Sequence, residues 1–106
     1  ASVASRQHYR TGLELAHAQG DERMVGRCLA GLSALAATAG EDVRAAILLA
    51  AAWQRFDRFP TFLAPCDEAD YAHVRCAINT RLSPEIWEDA WRAGQTLAIE
   101  AVLAEG

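Results

Sequence analysis

Lysine is absent from this chain: all ten basic residues are arginine, set against 14 acidic ones for a net charge of −4. The arginines do not cluster, Arg55 and Arg58 being the closest pair. That balance argues against direct nucleic-acid binding, which needs a basic face to displace counterions. Long apolar runs are missing too. The longest, Ala45 to Trp53, is far short of a bilayer span, so no membrane partner is expected. Cysteine is scarce and odd in number. Cys28, Cys66 and Cys76 lack CxxC spacing, which speaks against a disulfide framework and fits a cytoplasmic protein without a visible secretory signal. There is no GxxxxGK[ST] segment, so no phosphate-cradling P-loop and no nucleotide cofactor is expected. The chain opens on Ala1 rather than Met, as expected of a piece of a longer protein.

What is present in excess is alanine, 23 of 106 residues, while Val and Ile together supply 9 and Pro 3. Alanine has the best intrinsic helix propensity and the β-branched strand formers are few, so the balance favours helix. Turn signals divide the chain into five segments. The first, 2–19, ends at Gly20, a residue suited to the left-handed position after a helix. Asp21 caps a second, 22–39, closed by Gly40. A third runs from Glu41 to about Asp57, and Pro60 and Pro65 interrupt the irregular stretch that follows. Asp67 opens a fourth, ending near Arg81. Ser83-Pro84-Glu85 opens a fifth, with Ser as N-cap and Pro where its missing N–H costs little. No segment alternates with a period of two. The expected fold is one all-α domain of about five helices joined by short turns, hence antiparallel hairpins.

The stretch LAGLSALAATAGEDVRAAILLAAAW, residues 29 to 53, places two alanine-rich runs on either side of Gly40-Glu41-Asp42. Small side chains at Ser33, Ala45 and Ala52 would let the second and third helices approach closely, with Leu29, Leu32, Leu48 and Leu49 filling the space between. Together with Ala36 and the turn at Gly40, these positions resemble the tetratricopeptide repeat: large apolar, Leu followed by a small residue, a turn Gly, then small–large–small. The pattern is departed from at Ala36, where Tyr is usual, and at Asp57, where a Pro is missing. Tyr9, Gly12 and Leu13 resemble the second helix of a preceding, truncated repeat.

A narrower resemblance covers nearly the whole chain. Leu15-Ala16, Gly20-Asp21, Cys28-Leu29-Ala30-Gly31-Leu32 and Ala45-Ala46-Ile47-Leu48-Leu49-Ala50-Ala51 are similar to the last repeats of large bacterial ATP-dependent transcriptional regulators, the LuxR-type and MalT-like proteins. Glu68-Ala69-Asp70-Tyr71 and Trp87-Glu88-Asp89-Ala90-Trp91-Arg92-Ala93-Gly94 echo the closing pattern of that family. The resemblance implies a non-catalytic scaffold of a signalling protein, whose partners are other domains of the parent chain, a second copy, or a small-molecule effector.

The residues that carry chemistry elsewhere have structural readings here. Ten of the fourteen carboxylates fall in groups at the starts of the expected helices, where negative charge complements the macrodipole and the unpaired N–H groups. Cys66, His73 and Cys76 have donors that suit zinc, but no fourth ligand and no structural-site spacing accompany them, so no metal site is expected. No nucleophile–base pair is visible either, and the chain is not expected to be an enzyme. The interaction candidates are aromatic. Trp87 and Trp91 share a stripe with Gly94, Leu97, Ala98, Ala101 and Val102, expected to meet the fourth helix through Tyr71, Val74 and Ile78, or else a second copy. Phe56, Phe59, Phe62 and Leu63 form an aromatic loop that either packs over the bundle or docks a partner. A small-ligand pocket lined by Trp53, Phe56, Phe59 and Trp87 is the alternative.

Overall fold

The computed structural model describes residues 2–58 and 65–104, with side chains described for 5–58 and 71–104. The described residues form six helices and no strand: α1 (Ser2–Gln19), α2 (Glu22–Thr38), α3 (Asp42–Arg58), α4 (Pro65–Arg81), α5 (Pro84–Gln95) and α6 (Ile99–Ala104). The all-α expectation holds, with one short helix more than the sequence suggested.

The first two turns are built alike. At the end of α1, Asp21 N–H donates to Ala16 O at 2.9 Å and Gly20 N–H to His17 O at 3.2 Å. At the end of α2, Glu41 N–H donates to Ala36 O at 2.9 Å and Gly40 N–H to Ala37 O at 3.1 Å. These are the paired bonds of the Schellman closure, which satisfies carbonyls that the helix itself leaves open. It needs a left-handed residue, and Gly20 (φ 71°) and Gly40 (φ 83°) supply it without a Cβ penalty. The residue after each glycine begins the next helix at once: Asp21 O accepts from Val25 N–H and Glu41 O from Ala45 N–H. Each two-residue turn therefore reverses the chain, and α1, α2 and α3 lie side by side.

α3 is the centre of the molecule. It packs most extensively on α2 and almost as extensively on α5. Ala45, Ala46, Ala50, Ala51 and Ala52 are all fully buried, so its alanines face neighbours on more than one side. On the α2 side, the buried Ser33 hydroxyl donates to Ala45 O at 2.6 Å, a cross-helix bond that a larger residue at either position would wedge apart. Leu29, Leu32, Ala36, Leu48 and Leu49 are buried around it. On the α5 side, Gly94 lies so close that a Cβ there would meet the Ile47 carbonyl oxygen and come within 2.5 Å of the Ala50 methyl. Two close helix contacts on one rod explain the alanines of α3: a larger side chain would hold the neighbouring axes apart.

Several expectations are corrected. α3 starts at Asp42 and Glu41 stands just outside it. Pro65 opens α4 rather than stopping helix, which suits a residue whose absent N–H would have no partner in a first turn. The stripe from Trp87 to Val102 does not share one helix, because the chain turns at Thr96, where the hydroxyl donates to Ala93 O at 3.3 Å and Leu97 N–H to Gly94 O at 3.3 Å. Thr96 (φ −111°, ψ 7°) has left helical geometry. The turn lets α6 fold back on α1, burying Ile99 and Val102, and there Arg10 Nη2 donates to Leu103 O at 2.6 Å while His17 and Glu100 approach to 3.3 Å. Finally, α5 takes α3 as its partner and not α4. Gly94 and the buried Ala90 lay a flat face of α5 against the Ile47 backbone and the Ala50 methyl of α3.

Candidate binding cleft

Several charged side chains do structural work. Asp21 Oδ1 accepts from Met24 N–H at 3.2 Å and Ser83 Oγ from Ile86 N–H at 3.3 Å, the two caps expected at those helix starts. Arg55 meets Glu22 at 2.8 Å, close enough for an ion pair but too poorly aligned for a hydrogen bond, and its Nη1 donates to Ala51 O at 2.9 Å. Arg81 Nη1 bridges the Ala37 carbonyl and Asp42 across the α2–α3 turn, at 3.1 and 3.2 Å. Partly exposed pairs such as these contribute little individually. Glu100 lies below the usual carboxylate range, first through a backbone N–H at its own position and then through the hydrogen bond and charge of His17. Among the described residues, no three His, Cys, Asp or Glu side chains gather as metal ligands.

Of the aromatic candidates, Phe59 and Phe62 lie outside the described residues, as does the side chain of Cys66. The other four do not form one pocket. Trp87 and Trp91 stack on each other (centroids 5.0 Å, 25° between planes), and the Arg75 guanidinium of α4 lies over Trp91 at 5.3 Å and over Trp53 of α3 at 6.0 Å. Trp53 in turn packs on Tyr71 at 5.4 Å, and Phe56 meets the Tyr71 ring edge-on at 5.9 Å. The result is a continuous row, Trp87–Trp91–Arg75–Trp53–Tyr71–Phe56, which ties α4 to α3 and α5 by ring faces and one cation. Sequence spacing identified the rings but not Arg75, since cation–π geometry is set by three helices meeting.

The unfilled space lies elsewhere. A cleft of about 840 Å³ opens between α1 and α4, floored by α2 and backed by Leu49 and Phe56 of α3. Gly12 and Ala16 of α1 with Ala30, Gly31 and Ala34 of α2 form its small-residue lining, and Tyr9, Phe56 and Tyr71 its aromatic walls. The Tyr9 ring is pressed against α2 where only Gly31 leaves it room, since a Cβ there would overlap the ring. Leu15 and Met24, respectively 58% and 41% exposed, stand on the rim. Of the expected pocket residues that are described, Phe56 lines this cleft, and Trp53 and Trp87 do not. Sequence reading missed it because α1 and α4 are distant in the chain and no local pattern says that they flank the same face of α2.

Two groups in the lining are shifted by burial. Cys28 is buried and its thiol is pushed up, chiefly by desolvation, with Arg27 pulling down and Asp21 pushing up. Burial thus disfavours the thiolate, the form that reacts. Tyr71 is 6% exposed, its hydroxyl is sealed from water without a hydrogen-bond partner among the described residues, and desolvation drives its pKa far up against a weaker pull from Arg75.

No family model, no curated protein and no solved structure matches the chain. No described helix is long and apolar enough to cross a membrane.

Proposed function

We propose that this chain is a non-catalytic helical-repeat scaffold of a bacterial transcriptional regulator, cytoplasmic, and that it binds partners by its helix faces. The observation that carries the reading is the α2–α3 hairpin. Leu29, Leu32, Ser33, Ala36, Ala45, Leu49 and Ala52 are all buried, and Gly40 makes the turn, at the positions where a tetratricopeptide-like unit uses them. Such units bury their faces against neighbours and offer the remainder to partners. The capping roles of Asp21 and Ser83 and the ion pairs of Glu22, Asp42 and Asp89 favour a binder over an enzyme, because they occupy these groups with structural work.

The test is the parent protein. Its reading frame is expected to encode a nucleotide-binding switch domain or a DNA-binding module upstream. Deleting residues 1–106 from it should leave promoter binding intact while the transcriptional response to inducer is lost or locked on. A response unchanged by the deletion, or a reading frame that runs these residues into a catalytic domain, would overturn the proposal.

A further inference from the structure

The cleft between α1 and α4 has no part in the scaffold reading, and its chemistry narrows what would occupy it. We infer that it is a binding site for a small, uncharged, mainly apolar and planar molecule. This rests on reading the chain as a binder, and goes beyond it in naming the ligand class.

Size comes first. A cleft of about 840 Å³ lies within the range that small-molecule sites occupy, roughly 300–1,000 Å³. Polarity comes second. Its walls are aromatic rings and its floor glycine and alanine, so a flat ligand gains contact with ring faces and with backbone-close surface. Leu15 and Met24 stand exposed on the rim, where apolar surface otherwise costs free energy in water. Met24 is unbranched and polarisable, suited to folding over a ligand of variable outline.

Charge decides the class. The two side chains of fixed charge in the lining are already committed: Asp21 accepts from the Met24 N–H that it caps, and Arg27 is engaged by an interaction of its own. A charged ligand of either sign would meet Arg27 and Asp21 together in the described lining, one attracting and the other repelling it, and would have to share a side chain that already has a partner. Burying such a charge without a counterpart is costly, whereas a neutral ligand avoids that cost. His8 on α1 and His73 on α4 remain at the edges, as groups that can accept or donate one hydrogen bond to a polar substituent.

N-phenyl-1-naphthylamine, uncharged and planar, is the probe. Methyl spectra of the intact protein should show saturable shifts at Leu15, Met24 and Val74, which line the cleft, while Val43 and Ile86, exposed elsewhere, stay in place. Ala34→Phe, which fills the cleft from its floor, should weaken binding by roughly tenfold or more, the effect of losing about 1.4 kcal/mol of contact. The paired rim change Leu15→Ser with Met24→Ser should weaken it too, and since both side chains are already exposed it serves if Ala34→Phe fails to fold. Ile86→Ser should change nothing. The inference is overturned if the probe gives no saturable response, if Val43 and Ile86 shift as much as the rim residues, or if the cleft variants bind as well as the unaltered chain. It is also overturned if, in the full parent protein, another polypeptide covers Leu15 and Met24 and the probe stays out. A silent probe beside a parent that still needs residues 1–106 would remove the small ligand and leave the scaffold.

Discussion

α3 and α4 have equal length, 17 residues each, and lie next to one another in the chain, yet they are held in opposite ways. α3 is gripped by α2 and α5 through alanines, one glycine and a serine, so closely that backbone atoms approach across the interface. α4 touches α2 and α3 sparsely and α5 hardly at all among the described residues, and its attachment is the aromatic row with the Arg75 bridge, the buried Ile78, and Arg81 on the α2–α3 turn. Small side chains produce a rigid, size-intolerant seam; large ones produce broad contact that leaves space beside it. The cleft exists because α4 is seated in the second way.

Alterations at the seam should be the most damaging. Leu29→Ala removes a fully buried side chain beside the α2–α3 contact and should cost about 2–5 kcal/mol in chemical denaturation. Gly94→Ala adds one methyl where the Ile47 carbonyl and the Ala50 methyl leave no room. It should destabilise by about 1–3 kcal/mol, roughly 4–8 °C in melting temperature per kcal/mol for a domain this size. A neutral or stabilising Gly94→Ala would mean that α5 is not pressed against α3 and would dissolve the contrast.

These two positions also show how differently the sequence reveals its own packing. Leu29 belongs to a heavy local pattern, and its burial was legible beside Ser33, Ala36, Ala45, Leu49 and Ala52. The helix starts at Asp21 and Ser83 and the left-handed turns at Gly20 and Gly40 were equally legible, because capping and turn chemistry act over four or five residues. Gly94 was placed on the right stripe but given to the wrong neighbour. Its partner lies more than forty residues away, and nothing near Gly94 distinguishes α3 from α4. The break at Thr96 was missed for a related reason: threonine is tolerated within helices, and only the gain from burying Ile99 and Val102 against the rest of the fold makes the turn worthwhile.

On the α4 side the expected effects are smaller, and one is of opposite sign. Tyr71→Phe removes a buried hydroxyl that has no partner among the described residues and should raise stability by about 1 kcal/mol. The fold holds Tyr71 neutral, whereas an unfolded chain ionises its tyrosines from about pH 10. The stability that Tyr71 contributes is therefore complete below that pH and declines as pH rises further. Denaturation followed from pH 9 to 11 should show a shallower alkaline loss for Tyr71→Phe. A variant that is less stable at neutral pH would reveal a hydrogen bond to that hydroxyl and tighten the attachment of α4.

Arg75→Ala should be the mildest, about 0.5–1 kcal/mol for cation–π contacts over Trp53 and Trp91. Amide exchange should localise it. The α4 amides should exchange through local opening, faster still in Arg75→Ala, while those of α2, α3 and α5 exchange only with global unfolding. Equal protection of α3 and α4 would show that rings and a cation grip as firmly as close-packed methyls.

Composition and local chemistry settled that this chain is helical, where most helices begin and end, and which residues of α2 and α3 are buried. Those are matters of propensity, capping and short-range periodicity, all decided within a turn or two of helix. Which face meets which helix was decided only when the rods came together. The pairing of α5 with α3, the return of α6 to α1, the Arg75 bridge and the open cleft each depend on how volumes from distant segments fit, and a linear pattern of small and large residues is compatible with more than one such fit.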